Sequence, residues 1–161
     1  MTQHTYEGFP CFEAFWQAGK VFAGLDDAES RAKQRQWWQC QTKAKRRYPP
    51  AKDRRVLYAD FGDGVRYDYL PSRKQVYVPR YAALIAETES LRVWSHTAQR
   101  VGEVIVVYDF DGPRLADGTP TCLPVTVELL REKINDPTFP FGHGYIVAAS
   151  LCKIPIDEYC A

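Results

Sequence analysis

The stretch Gly102-Glu-Val-Ile-Val-Val-Tyr-Asp-Phe110 places four β-branched residues in succession, Val104 to Val107, and its reading sets the fold class. β-Branched side chains are stiff at χ1 and pack well on a pleated surface, so the run predicts a strand. Apolar residues without alternation fit a strand buried on both faces. Asp111-Gly112-Pro113 stops it, and residues 116–120, Ala-Asp-Gly-Thr-Pro, form a loop.

Outward from this strand the chain reads mainly as helix. In residues 11–24, Phe12, Phe15, Trp16, Gly19, Phe22 and Ala23 fall in one arc of a helical wheel. A second helix is predicted over 26–47, opened by Asp26, Asp27 and Glu29 and ended by Pro49-Pro50. Residues 54–59 are a short helix or strand, and Phe61-Gly62-Asp63-Gly64 is a turn. Alternation at 67–70 and 74–78 predicts a hairpin. Helical spacing returns over 80–95, 124–134 reads as helix or strand, 135–140 is irregular, and 144–153 is a final apolar helix. The expected architecture is α+β: one mostly helical domain over 1–161 with a small sheet.

With 161 residues, 45% hydrophobic and 25% charged, the chain is long enough for one sizeable core and is not a disordered composition. No apolar run approaches the roughly 20 residues that cross a bilayer, and no export signal opens the chain. Cys11, Cys40, Cys122, Cys152 and Cys160 form neither a CxxC pair nor a Cys/His spacing. Free thiols in the cytoplasm, with no metal and no cofactor, are the expectation.

The net charge of +1 hides an asymmetry: residues 31–55 hold ten Lys/Arg against the single acid Asp53. A block of this sign attracts phosphates of a nucleotide-like small molecule or of nucleic acid. Trp37, Trp38, Tyr48 and Tyr58 sit beside these charges, so Trp38 is a candidate stacking residue, with Arg46 and Arg47 as candidate phosphate contacts. The same pattern describes a solvated basic helix whose tryptophans anchor it in the core.

Three constellations have the residue types of a polar site. Glu13, Gln17 and Lys20 lie at i, i+4 and i+7, so on a helix they share one face beside an apolar wall that includes Trp16. There Glu13 suits general acid–base work or stabilisation of an oxocarbenium ion, and Lys20 suits phosphate binding or nucleophilic attack. The competing reading is the polar face of an ordinary amphipathic helix. Asp109 and Asp111 end the long strand and Arg114 follows, positions from which acids can activate water and an arginine can hold phosphate; turn formation accounts for the same residues. In Gly142-His143-Gly144 the glycines suit anion contact at the start of the last helix, and His143 suits phosphate binding or proton transfer; a glycine-permitted turn is the alternative.

Phe12-Glu-Ala-Phe-Trp-Gln-Ala-Gly-Lys20 resembles the Ser-Glu-His-Tyr-aromatic-Gln-Ala-x-Lys helix of the NADAR family. Glu13, Gln17, Ala18 and Lys20 match position by position, and Phe15 and Trp16 fill the aromatic places. The segment around Trp38 with its basic tail resembles the family's Trp-x3-Lys stretch. Gly142-His143-Gly144 before an apolar helix resembles its C-terminal Gly-x-Gly. Phe12 replaces the family's serine, and its Asp-x-x-Trp-Gly motif has no counterpart beyond Asp109 or Asp111. The resemblance implies a divergent relative of small N-glycosidases that act on ADP-ribosyl or phosphoribosyl N-glycosides, including ADP-ribosylated guanine. Its fold and its catalytic residues, Glu13 and Lys20 assisted by Asp109 or Asp111, are expectations on that basis. The other expectation is a non-catalytic module that binds nucleotide or nucleic acid through residues 31–55.

Overall fold

The computed structural model describes residues 5–41, 55–100 and 102–161. It is an α+β chain of eight α-helices, a π-helical turn and a two-stranded sheet among those residues, and it divides into two compact units, Met1–Ser72 and Arg73–Ala161.

The first unit is organised by aromatic rings. Helix α1 (Phe12–Ala18) buries Phe12, Ala14, Phe15 and Gln17. Phe15 stacks on Phe61 at 5.2 Å, and Tyr6 and Phe9 meet its ring edge-on. The predicted helix over 11–24 ends seven residues in. Gly19 lies directly under the Phe61 ring, where a Cβ would come 2.3 Å from a ring carbon. The chain then turns into β1 (Lys20–Phe22), which pairs antiparallel with β2 (Val56–Ala59) in the register Lys20↔Ala59 and Val21↔Tyr58. Because the ring of Phe61 has to move to admit a methyl group, Gly19→Ala is expected to destabilise the protein by about 1–3 kcal/mol. Denaturant midpoints of Gly19→Ala, Phe61→Leu and the double variant check it: the two losses should be less than additive.

Helix α2 (Ala28–Gln39) begins where Asp27 caps it by accepting from the Ser30 amide, and it packs on α1. It stops at Gln39, ahead of the Pro49-Pro50 predicted to end it; those prolines lie outside the described residues. Residues 67–78 are not a hairpin. Only Tyr67 bridges Ala59, and α3 (Tyr69–Ser72) follows.

The second unit starts with the π-helical turn Arg73–Tyr77, which runs into α4 (Val78–Ala86). Burial of Arg73, Val76, Tyr77 and Val78 follows that wound backbone and not the two-residue alternation of a strand. The helix predicted over 80–95 is broken in two. Thr88 ends α4 and caps α5 (Glu89–Ala98) by accepting from the Leu91 amide. Helix α6 (Val127–Asn135) is capped likewise by Thr126. Helix α7 (His143–Leu151) is the apolar helix expected at the end of the chain; it packs on α4 and α5, and a short α8 (Ile156–Cys160) packs on α6.

The stretch expected to be a buried strand is the largest correction. Residues 103–108 are extended but pair with no strand among the described residues. Val104, Val106, Tyr108 and Phe110 are 87, 65, 82 and 72% exposed, while Ile105, Val107 and Asp109 turn inward. The run alternates outward and inward as a strand would, but no neighbouring segment completes a ladder with it among the described residues; the isolated bridge nearby is Arg114↔Pro120.

Candidate functional site

The best-defined polar cluster lies in the second unit, at the start of α7. Gly142, the residue before the helix, has no side chain with which to cap it. The carboxylate of Asp109 takes that role from 35 residues away: Oδ2 accepts from the Gly144 amide and Oδ1 accepts from the Asp111 amide at 3.2 Å. The positive end of the helix dipole favours a carboxylate there. Both glycines are required by contact. A Cβ on Gly142 would lie 2.6 Å from Asp109 Oδ2 and 3.0 Å from the Asp111 Cβ, and one on Gly144 would lie 2.6 Å from the Asp109 Cβ. The two acids and Gly142-His143-Gly144, read separately from the sequence, therefore form one cluster.

His143 packs against Tyr81 at 4.1 Å and Tyr77 at 5.4 Å. Burial pulls its pKa down from 6.5 to about 4, against the pull of Asp109 in the other direction, so the imidazole is neutral at physiological pH. In the unfolded chain the ring takes up a proton near pH 6.5, whereas in the folded chain it does so only near 4. The stabilisation this provides is complete above pH 6.5 and is lost as the pH falls toward 4, about 3 kcal/mol in all. Urea unfolding between pH 7 and 4 should show that slope, and His143→Gln should flatten it.

Beside the cluster is a cavity of about 320 Å³ lined by Ile105, Val107, Asp109, Leu129, Tyr145 and Ala148. Its walls are largely apolar, with the two extended segments around 107 and 122 contributing to its lining. Tyr145 is 6% exposed, stacks on Phe141 at 4.8 Å, and has a hydroxyl with no hydrogen-bond partner among the described residues. Burial and the neighbouring Asp109 charge push its pKa up to about 12, which keeps the hydroxyl a neutral donor. An apolar cavity edged by a carboxylate, with a buried tyrosine in its lining, has the make-up of a small-molecule site.

None of the known family models, curated proteins or solved structures compared with this chain matches it.

The other predicted site residues fall as follows. In the first unit, Glu13 accepts from the buried Gln17 amide at 2.5 Å, so carboxylate and amide do meet on α1. Lys20 is not one helical turn further along that face, because it belongs to β1. Trp16 stacks on Phe61 at 5.3 Å, and Trp38 is 2% exposed, a core residue with no open ring face for a base. Arg46 and Arg47 lie outside the described residues. Arg114 is in the lining of the second unit's cavity and is braced in its loop: its guanidinium donates to the carbonyls of Phe110 and Gly118, each at 3.0 Å.

Sequence reading missed Tyr145, Tyr77, Tyr81 and Arg73. Tyr145 adjoins the glycine motif; Tyr77 falls in the stretch read as a hairpin, which conceals its helical spacing from Tyr81 in the stretch read as helix. No group of three or more His, Cys, Asp or Glu among the described residues is placed to hold a metal ion, and no helix is long and apolar enough to cross a membrane.

Proposed function

We propose that the chain is an N-glycosidase that hydrolyses the ribosyl–nitrogen bond of an ADP-ribosyl or phosphoribosyl N-glycoside, and that its fold is a divergent relative of the NADAR domain. The observation that carries this reading is the Asp109 carboxylate, fixed on the N-terminus of α7 at the edge of an apolar cavity that also presents Tyr145. Cleavage of a glycosidic C1′–N bond develops positive charge on the ribose ring, and a preorganised carboxylate stabilises it. Each Asp109 oxygen accepts one backbone N–H and retains a second lone pair for a water or a ribose hydroxyl. Water adds at C1′, the C1′–N bond breaks, and its electron pair and a proton from the water leave with the base. Tyr145 donates to the departing base, and the neutral His143 packs beside the site without adding a positive charge. The substrate is a nucleotide-like small molecule or a modified nucleic acid base. The setting is the cytoplasm, in keeping with five free thiols.

The test is incubation with a guanine-ADP-ribosylated oligonucleotide and, separately, with a phosphoribosyl-aminopyrimidine, following release of base or sugar. Wild type should release one of them, and Asp109→Asn should not. Glu13→Gln and Lys20→Ala run alongside; lost release in either brings the first unit into the chemistry. No release by wild type from any N-glycoside tried, with retained binding, selects the non-catalytic module instead. Tyr145→Phe separates function from folding. Removing an unpartnered buried hydroxyl should leave stability unchanged or raise it by about 1 kcal/mol, while release slows. A Tyr145→Phe enzyme that is as fast as wild type rules out the donor role.

A further inference from the structure

In the first unit, helix α2 and the turn at residues 60–62 enclose a second cavity, of about 410 Å³, whose lining includes Arg31, Gln34, Arg35, Asp60 and Gly62. Arg31, Gln34 and Arg35 stand at i, i+3 and i+4 on α2 and therefore share one side of it. The hydrogen-bonding capacity around this cavity is unbalanced. Its one carboxylate, Asp60, is already used on both oxygens: Oδ2 accepts from Arg31, and Oδ1 accepts from the Gly62 amide at 2.8 Å. Arg35 has only a long contact of 3.4 Å to the Phe61 carbonyl, and no carboxylate pairs with it among the described residues. The Gln34 amide nitrogen is buried with no hydrogen-bond partner among the described residues. A guanidinium and an amide thus line the cavity as donors without matching acceptors.

Arg35 is also held in place. Its guanidinium lies 5.0 Å over the Phe9 ring, and the left-handed Gly62 backbone (φ +88°) passes so close that a Cβ there would sit 3.5 Å from Nη1. A guanidinium fixed on an aromatic ring loses little entropy when it binds an oxyanion, and its planar fork matches two oxygens at once. We propose that this cavity is an anion site for the phosphate monoester or diphosphate group of a small molecule, with Arg35 as the main contact, Gln34 as a second donor, and the Arg31–Asp60 pair as its wall. The cavity is bounded by α2, by the turn at 60–62, and by Ala18 and Val21 of α1 and β1, a confined shape suited to a terminal phosphate and not to a continuous phosphodiester backbone. The proposal does not depend on glycosidase activity.

Calorimetric titration of the full chain with inorganic pyrophosphate, at matched chloride ionic strength, tests it. Wild type should bind, and Arg35→Gln should weaken binding by about tenfold or more, the usual effect of losing a charge-assisted contact. Gln34→Glu, which keeps the side-chain shape and adds a negative charge beside Arg35, should do the same, and it guards against misreading a variant that folds poorly. A single-stranded oligonucleotide forms the second arm. Absence of pyrophosphate binding by wild type overturns the proposal. So does binding that both variants leave unchanged, or an oligonucleotide that binds through Arg35 where pyrophosphate does not. Because base release is not the readout, failure here is distinct from failure of the N-glycosidase reading.

Discussion

Asp109→Asn is expected to lower base release by a hundredfold to a thousandfold while costing only about 1–2 kcal/mol of stability. The two effects have separate origins. Asparagine retains one carbonyl oxygen, so it can still accept either the Gly144 or the Asp111 amide, but it turns an NH₂ toward the other. One hydrogen bond and the charge–dipole attraction at the start of α7 are lost, and the fold survives. On the proposed N-glycosidase reading, the oxocarbenium-like charge of the transition state, in contrast, loses a formal negative charge that stabilises it. Asp111→Asn provides the comparison. The Asp111 backbone amide that donates to Asp109 is kept by this substitution, and release should fall less. Steady-state rates on the responsive substrate, paired with urea midpoints for each variant, decide the matter. Equal activity of Asp109→Asn and wild type would remove the carboxylate from the chemistry.

Arg73→Met is expected to destabilise the protein by about 3–5 kcal/mol, the largest loss anticipated for a single side chain here. Arg73 is 2% exposed, and its guanidinium donates to three carbonyls, those of Ile134, Asp136 and Phe139. Those residues span the end of α6 and the loop leading to Phe141-Gly142-His143-Gly144. Methionine replaces the aliphatic stem well but leaves three inward-facing carbonyls without donors, at a cost of about 1–3 kcal/mol for each one that water cannot reach. Arg73→Lys should recover only a part, because an ammonium is a single point and cannot span the three acceptors as a planar fork does. Urea denaturation of the three proteins gives the order wild type, Lys, Met. Since the loop delivers His143 to Tyr77 and Tyr81, the pH-dependent stability assigned to His143 should shrink in the same order.

The contrast between what the sequence announces and what it conceals is sharpest around residues 102–114. β-Branched residues at 104–107 favour a strand-like backbone because that preference is local, and their exposure alternates with a period of two. Whether a partner strand lies alongside is a tertiary matter, and the outward Val104, Val106 and Tyr108 show that none does among the described residues. Helix α7 is legible because its apolar run is bounded by glycines, and the caps Asp27, Thr88 and Thr126 are all of the residue types that close helix starts. Helix α1 misleads because Gly19 and Lys20 continue its wheel without a break; only the Phe61 ring, 42 positions on in the sequence, requires the turn there. Lys74 to Val78 misleads for a different reason, since the β-branched and aromatic Val76, Tyr77 and Val78 suit a strand yet lie in a π-helical turn, with buried Arg73, Val76 and Tyr77, and at the start of α4, into which it runs. Asp109 and Gly144 were each noticeable as residue types, but nothing in the order of residues states that one caps the other.

That long-range cap makes the Gly144 amide a built-in reporter. A proton shared with a carboxylate at the first turn of a helix resonates downfield and exchanges slowly, and it does both only while Asp109 is seated. A single cross-peak in a proton–nitrogen spectrum would therefore track occupancy of the neighbouring hollow: a bound molecule that draws the carboxylate toward itself would move that peak before any product formed.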